Sequence, residues 1–245
     1  MSQYLTLELR RTVRDKRYLA LVVGWPVAAY LLFSTVFASA ADAAEGLPSK
    51  VAIMVAMASF GAMGGVLMGS GARLAYDRQT GWLRQLSLTP LSGRRVLAVR
   101  VLAAMALSLP AILITFVVAA LVRNVGLAPW EWSAMVGVLV LGCIPFAAMG
   151  LIVGCLADGD SAQTVSSILY LVLAALGGLW MPASIMPAPL QTVAHILPSN
   201  HLAQLAWAVA RGEAPQAADM AVLLAWFIGA AVIAAFAARR LRQRA

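Results

Sequence analysis

The 245-residue chain is 62% apolar and only 11% charged, far below the roughly 25% charged residues of a soluble domain. It therefore reads as an all-α integral membrane protein, a single transmembrane domain over residues 1–245. Its net charge of +8 comes from arginines gathered at the ends of apolar blocks, which argues for membrane topology and against a nucleic-acid partner.

Residues 1–17 carry five basic side chains, with Leu5, Leu9 and Val13 on one stripe, the pattern of a helix lying in the headgroup plane. Tyr18–Ser39 follows, a 22-residue stretch without charge and long enough to span. Ala38-Ser39-Ala40 resembles a cleavage site, but the apolar run exceeds the 7–15 residues of a signal peptide. Pro26 is a candidate kink. The second block, Val51–Ala72, holds Gly61, Gly65 and Gly69 at four-residue spacing. Small residues on one face let membrane helices approach closely, within one chain or between two.

Between the second and third blocks lies the longest polar interval, Asp77–Pro90, reading Asp-Arg-Gln-Thr-Gly-Trp-Leu-Arg-Gln-Leu-Ser-Leu-Thr-Pro. Trp82, Leu83 and Leu86 recur at helical spacing, and Thr89-Pro90 stops a helix. The interval reads as a short amphipathic helix between two spans. Val96–Leu121 is the third block, with Pro110 inside. Trp130 and Trp132 stand as interface anchors before the fourth, Ser133–Leu156. Cys143 and Cys155 in that block are about 18 Å apart on a continuous helix, too far for a disulfide. A turn with Asp158 and Asp160 precedes the fifth block, Thr164–Met181.

Pro182–Gln216 is too apolar for a plain loop and is punctuated by prolines at 182, 187, 189 and 198. Leu190–Leu197 and His201–Arg211 are expected as two short helices, too short to span. The sixth block, Ala217–Ala238, ends in a basic tail. With both termini inside, the inner segments hold fifteen Lys and Arg and the outer ones three: Lys50, Arg123 and Arg211. The positive-inside rule puts both termini and Asp77–Pro90 in the cytoplasm.

No ionisable side chain sits mid-span, which argues against a proton-coupled antiporter or an intramembrane hydrolase. His195 and His201 have no carboxylate or cysteine close by in sequence. Met57, Phe60, Met63, Met68, Ser166, Ser167 and Tyr170 are the adaptable or polar side chains the spans offer. Singly, each reads as packing. Together, Met57, Phe60, Tyr170, Trp180 and Met181 are candidates for a transport path or its gate. No Gly-x-x-x-x-Gly-Lys-Ser/Thr loop is present, so no nucleotide cofactor is expected on this chain.

The pattern acidic-Arg-x-x-Gly-x-Leu-x-x-Leu-x-x-Thr-Pro, carried by Asp77, Arg78, Gly81, Leu83, Leu86, Thr89 and Pro90, resembles the coupling-helix motif of ABC type 2 exporter permeases. Arg84 departs from it, since the family usually has Glu there. Gly178, Pro182, Pro187, Leu190 and Pro198 resemble the family's pattern after its fifth span, although His201 stands where an aromatic residue is frequent. The resemblance implies six spans, a cytoplasmic coupling helix and an external re-entrant hairpin between spans five and six. It also implies a cytosolic ATPase carrying ATP and Mg²⁺, a second permease copy, and a place in the bacterial cell membrane. The seven motif residues would be the ATPase contacts. The apolar lining suits a hydrophobic or amphipathic cargo such as an antibiotic, drug or lipid. Polysaccharide or haem export, and an ATP-independent transporter or channel, stay open as alternatives.

Overall fold

The computed structural model describes residues 20–36, 46–81, 93–181 and 186–244. A π-helical turn, Ala20–Gly24, leads into α1 (Trp25–Val36). There follow α2 (Ser49–Gln79), α3 (Gly93–Arg123), α4 (Pro129–Gly142), α5 (Ile144–Leu156), α6 (Gly159–Leu176), α7 (Ala188–Ala194), α8 (Pro198–Ala210) and α9 (Ala217–Arg244). No strand occurs among the described residues. Among the described residues, five helical stretches are long and apolar enough to cross a membrane: α2, α3 from Ala98, the α4–α5 pair, α6, and α9 to Ala238. The described part of the first block contributes a shorter apolar stretch, Val22–Val36. Pro26 is the second residue of α1, which directly follows the π turn, and it cannot donate to the carbonyls of that turn.

Helix α2 is the axis of the bundle. In its most apolar 18-residue window 94% of the residues are buried, against 22% in α9. It packs on α1, α3, α5, α6 and α8. A helix surrounded by protein rather than lipid needs close backbone approach more than bulk hydrophobicity, because in a bilayer packing and not water exclusion drives association. The residues fit that need. A Cβ at Gly71 would sit 2.8 Å from the Gly150 carbonyl oxygen, and one at Gly154 would sit 2.6 Å from the Gly71 oxygen, so α2 and α5 cross almost backbone to backbone. The hydroxyls of Ser59 and Ser70 donate back to Val55 and Val66 carbonyls, both at 2.8 Å, which satisfies them within their own helix.

Several boundaries differ from the sequence expectation. The fourth block is broken at Cys143 into α4 and α5. Pro145 cannot donate to the carbonyl four residues back, and Phe146 N–H bonds to the Cys143 carbonyl instead, at 3.1 Å. Both cysteines are buried free thiols. The helix of the fifth block, α6, begins at Gly159 and ends at Leu176, so Trp180 and Met181 lie beyond it. Helix α2 runs seven residues past Ala72, and α3 starts three residues before Val96.

The two ends of the bundle are chemically distinct. Lys50 Nζ donates to the Asn124 carbonyl (3.1 Å), and Arg123 Nη2 donates to the Leu31 carbonyl (3.0 Å). Arg211 lies beside Gly46 at that same end. The three cations counted as outer by sequence thus share one end. Asp77, Arg78, Arg100 and Asp158 occupy the other.

Candidate functional site

The coupling motif begins inside α2. Asp77, Arg78 and Gln79 form its last residues, so the expectation of one short helix from Asp77 to Pro90 is corrected: its start is the end of a long span. The helix continues because nothing in Ala72–Gln79 interrupts it. It stops at Thr80, whose N–H bonds to the Tyr76 carbonyl at 2.9 Å, and at Gly81. Gly81 has φ of +70° and open space around its Cβ position. Its glycine serves a left-handed helix cap. Leu83, Leu86, Thr89 and Pro90 lie outside the described residues, as does the basic N-terminal stripe.

Asp77 and Arg78 face their own chain. The Asp77 carboxylate accepts a hydrogen bond from Arg100 Nη2 of α3, and both side chains are buried, at 6% and 5% exposure. Arg78 Nη1 donates to the carbonyls of Gly154 and Cys155, each at 2.8 Å, and its other terminal nitrogen is 3.9 Å from Asp158. It caps the C-terminus of α5, whose last carbonyls lack helical partners and carry the negative end of the helix dipole. The Gln79 side chain lies against Gly159, at the start of α6, where no Cβ would fit. Sequence spacing missed the Arg100 contact because the partners are 23 residues apart. A signal existed: Arg100 falls on the stripe of Ala103, Ala104 and Leu107, all buried.

The candidate gate residues are brought together except for one. Phe60 of α2 stacks on Tyr170 of α6 with ring centroids 4.4 Å apart and planes 9° apart. Trp180 meets Phe60 edge-on at 5.6 Å and 77°. Both geometries are favoured by the ring quadrupoles. Met57, one turn earlier, is equally buried, whereas Met181 is 47% exposed. Gly64 makes room for the Tyr170 ring, since a Cβ there would lie 2.7 Å from it. In this conformation the aromatic group is filled core. Ser166 is also buried.

The glycine face is internal packing. Cβ atoms at Gly61 and Gly65 would meet Ala111 at 2.8 Å and the Leu107 carbonyl oxygen at 3.0 Å, both on α3. Gly69 is partly exposed.

At the opposite end, α8 is buried over nearly its whole length and packs against α4, α9 and α2. Its first turn is tied to the end of α6: Ser199 Oγ donates to the Leu173 carbonyl (2.6 Å) and Asn200 Nδ2 to the Gly177 carbonyl (3.2 Å). Trp207 Nε1 donates to Ala52 (3.0 Å), and Trp226 Nε1 to Ile196 (2.8 Å). His201 has a carboxylate after all. Asp219 Oδ1 lies 2.6 Å from its Nδ1, and the His195 carbonyl lies 2.9 Å from Nε2. Eighteen residues separate the pair, which is why inspection of neighbouring positions missed it.

The sequence that forms this multi-helix body is similar to known proteins. The family profile described as "ABC-2 family transporter protein" matches residues 29–236. The chain is also similar to a Bacillus subtilis (strain 168) protein named "Putative transport permease YvfS", 29% identical over 222 residues that cover 90% of this chain and 89% of that one. The match takes in α2 through α8 and the greater part of α1 and α9, so the chain belongs to the ABC-2 transporter family, as a multi-pass permease of the membrane.

Proposed function

We propose that this permease is the membrane subunit of an ATP-driven exporter. The observation that carries the reading is the last turn of α2. Asp77 and Arg78, the first residues of the motif, are anchored inside the chain, which leaves residues 82–92 as a connection held at both of its ends. Such a segment is a handle for a soluble partner. Leu83, Leu86, Thr89 and Pro90 are its docking surface for a cytosolic ATPase that carries ATP and Mg²⁺.

The first block completes a six-span subunit with both termini cytoplasmic in the bacterial cell membrane. The support is the segregation of Lys50, Arg123 and Arg211 at one end of the bundle and Arg78 and Arg100 at the other, together with the positive-inside rule. Helices α7 and α8 form the external hairpin. Two copies make the path. ATP binding shifts the pair between inward and outward states through the ATPase's different affinity for each. The cargo is hydrophobic or amphipathic, as the apolar exposed faces of α3, α6 and α9 suggest. The group Met57, Phe60, Tyr170 and Trp180, with Met181 beside it, parts when the path opens.

Purification of the tagged chain from its native membrane tests this directly. An ABC ATPase should accompany it, and Leu86→Asp should release that ATPase or abolish the change in its hydrolysis rate. Recovery of the permease alone, with no ATPase bound, would overturn the reading.

A further inference from the structure

Three consecutive side chains at the end of α2 each grip a different helix. Successive residues on an α-helix point about 100° apart, so a run of three can address three neighbours. Asp77 takes Arg100 of α3, Arg78 takes the terminal carbonyls of α5, and Gln79 lies against the first residue of α6. These are the inner ends of the helices that crowd α2.

The chemistry of the first grip is out of proportion to a packing role. Two charges removed from water gain little net stability from each other, and an apolar pair of the same volume holds helices together as well. What a buried ion pair adds is direction: the hydrogen bond from Arg100 Nη2 to the Asp77 carboxylate fixes one approach of the two side chains, where apolar side chains slide. Both residues are within 5% of complete burial, so neither is available to a soluble partner. Arg100 stands seven residues into α3, whose first residue is Gly93. The pair therefore ties the two helices that bracket residues 82–92, the chain's link between them.

We propose that Asp77 and Arg100 are positioning residues of a transmission joint: they lock the last turn of α2 to α3, with Arg78 adding α5, so that a push on the 82–92 segment moves these helices as one body. Gln79 passes the same displacement to the start of α6. Helix α6 then carries it about 16 Å along its axis to Tyr170, whose ring is stacked on Phe60. A shift of α6 along α2 breaks that stack. The joint thereby connects the handle to the aromatic core without any charge in the middle of a span. This inference rests on the reading of residues 82–92 as the ATPase handle.

The test uses the full chain with its co-purified ATPase in proteoliposomes, with Cys143 and Cys155 replaced by alanine and Ala175→Cys as a reporter near the end of α6. The rate of reaction with a membrane-impermeant maleimide is measured with and without ATP and vanadate. The parent should change its rate by at least about fivefold, the lower range of ordinary allosteric coupling. In Asp77→Leu with Arg100→Met, where no lone charge is left behind, ATPase binding and hydrolysis should persist while the vanadate-dependent change falls to less than about twofold. Arg100→Lys, which keeps the charge and loses the guanidinium geometry, should fall between the two, and it decides the matter if the double variant does not assemble. A full change in an assembled variant overturns the joint and leaves the exporter reading intact. A parent that shows no change overturns the handle itself, and the joint with it.

Discussion

The two ends of the bundle are held by different chemistry. At the end of Asp77 the grips are charges: a buried ion pair and a guanidinium on helix-terminal carbonyls. At the end of α8 the grips fall mostly on backbone carbonyls, taken by neutral donors on Ser199, Asn200, Trp207 and Trp226 and by the cations of Lys50 and Arg123, with one His–Asp pair among them. The difference follows from what each end must tie down. Helices α2, α3, α5 and α6 meet at the first end as regular helix termini, with long side chains free to reach across. The second end contains a short helix and turns whose carbonyls have lost their helical partners. In hydrocarbon such groups cost several kcal/mol each if left unpaired. The first end has a buried side-chain ion pair at its centre beside the cap that Arg78 places on α5, whereas the grips of the second end fall mostly on backbone carbonyls.

The sharpest way to separate them is to orphan one buried charge. Arg100→Leu leaves Asp77 without its cation and should cost about 3–5 kcal/mol, read as a large fall in the detergent melting temperature. The double change Asp77→Leu with Arg100→Met should recover most of that loss. If the single and double changes cost the same, charge is not the fastening at this end.

At the other end the comparable change is Asp219→Leu, which leaves the His201 ring nitrogen without its acceptor. About 1–3 kcal/mol is expected, visible as earlier proteolysis between α8 and α9 and as a lower melting temperature. A loss as large as that of Arg100→Leu would erase the distinction between the ends.

Gly81→Ala probes the cap that ends α2. A φ of +70° is strained for any side chain, by about 1–2 kcal/mol, while the space around the position is open. The melting temperature should drop slightly with assembly preserved, and Gly81→Asn should cost less than Gly81→Ala because asparagine tolerates this backbone region. Equal costs for the two would show that something other than φ selects glycine. The smallest effect is expected from Trp226→Phe, which keeps the ring and removes one hydrogen bond to Ile196. Its cost should be about 0.5–1.5 kcal/mol, with no change in thiol labelling of α6.

The amount of fold legible in the sequence varied by element. Block lengths read directly as α2, α3, α6 and α9 because a membrane helix is declared by a run of apolar residues of fixed length. The presence of two short helices after Pro182 was legible for a related reason, but not their bounds: they run Ala188–Ala194 and Pro198–Ala210, starting before the expected Leu190 and His201 because proline fits the start of a helix. The break at Cys143 was not, because Pro145 alone does not say whether a helix bends or stops. The candidate site divides in the same way. Phe60 and Tyr170 stand out in the sequence as unusual residues within spans, but their 4.4 Å stack depends on how α2 and α6 cross.

By itself the sequence determined membrane residence, helical class, the approximate helix boundaries and, through the charge asymmetry of its loops, which residues share an end. All of these depend on composition and on period along one chain. Only the tertiary structure decided that α2 is the axis, that Gly61 and Gly65 face α3, and that Asp77 and Arg78 turn inward rather than toward a partner. It also decided that His201 finds Asp219. Those facts depend on contacts between residues 18 to 155 positions apart, and no local pattern encodes which of several apolar faces meets which until the helices pack.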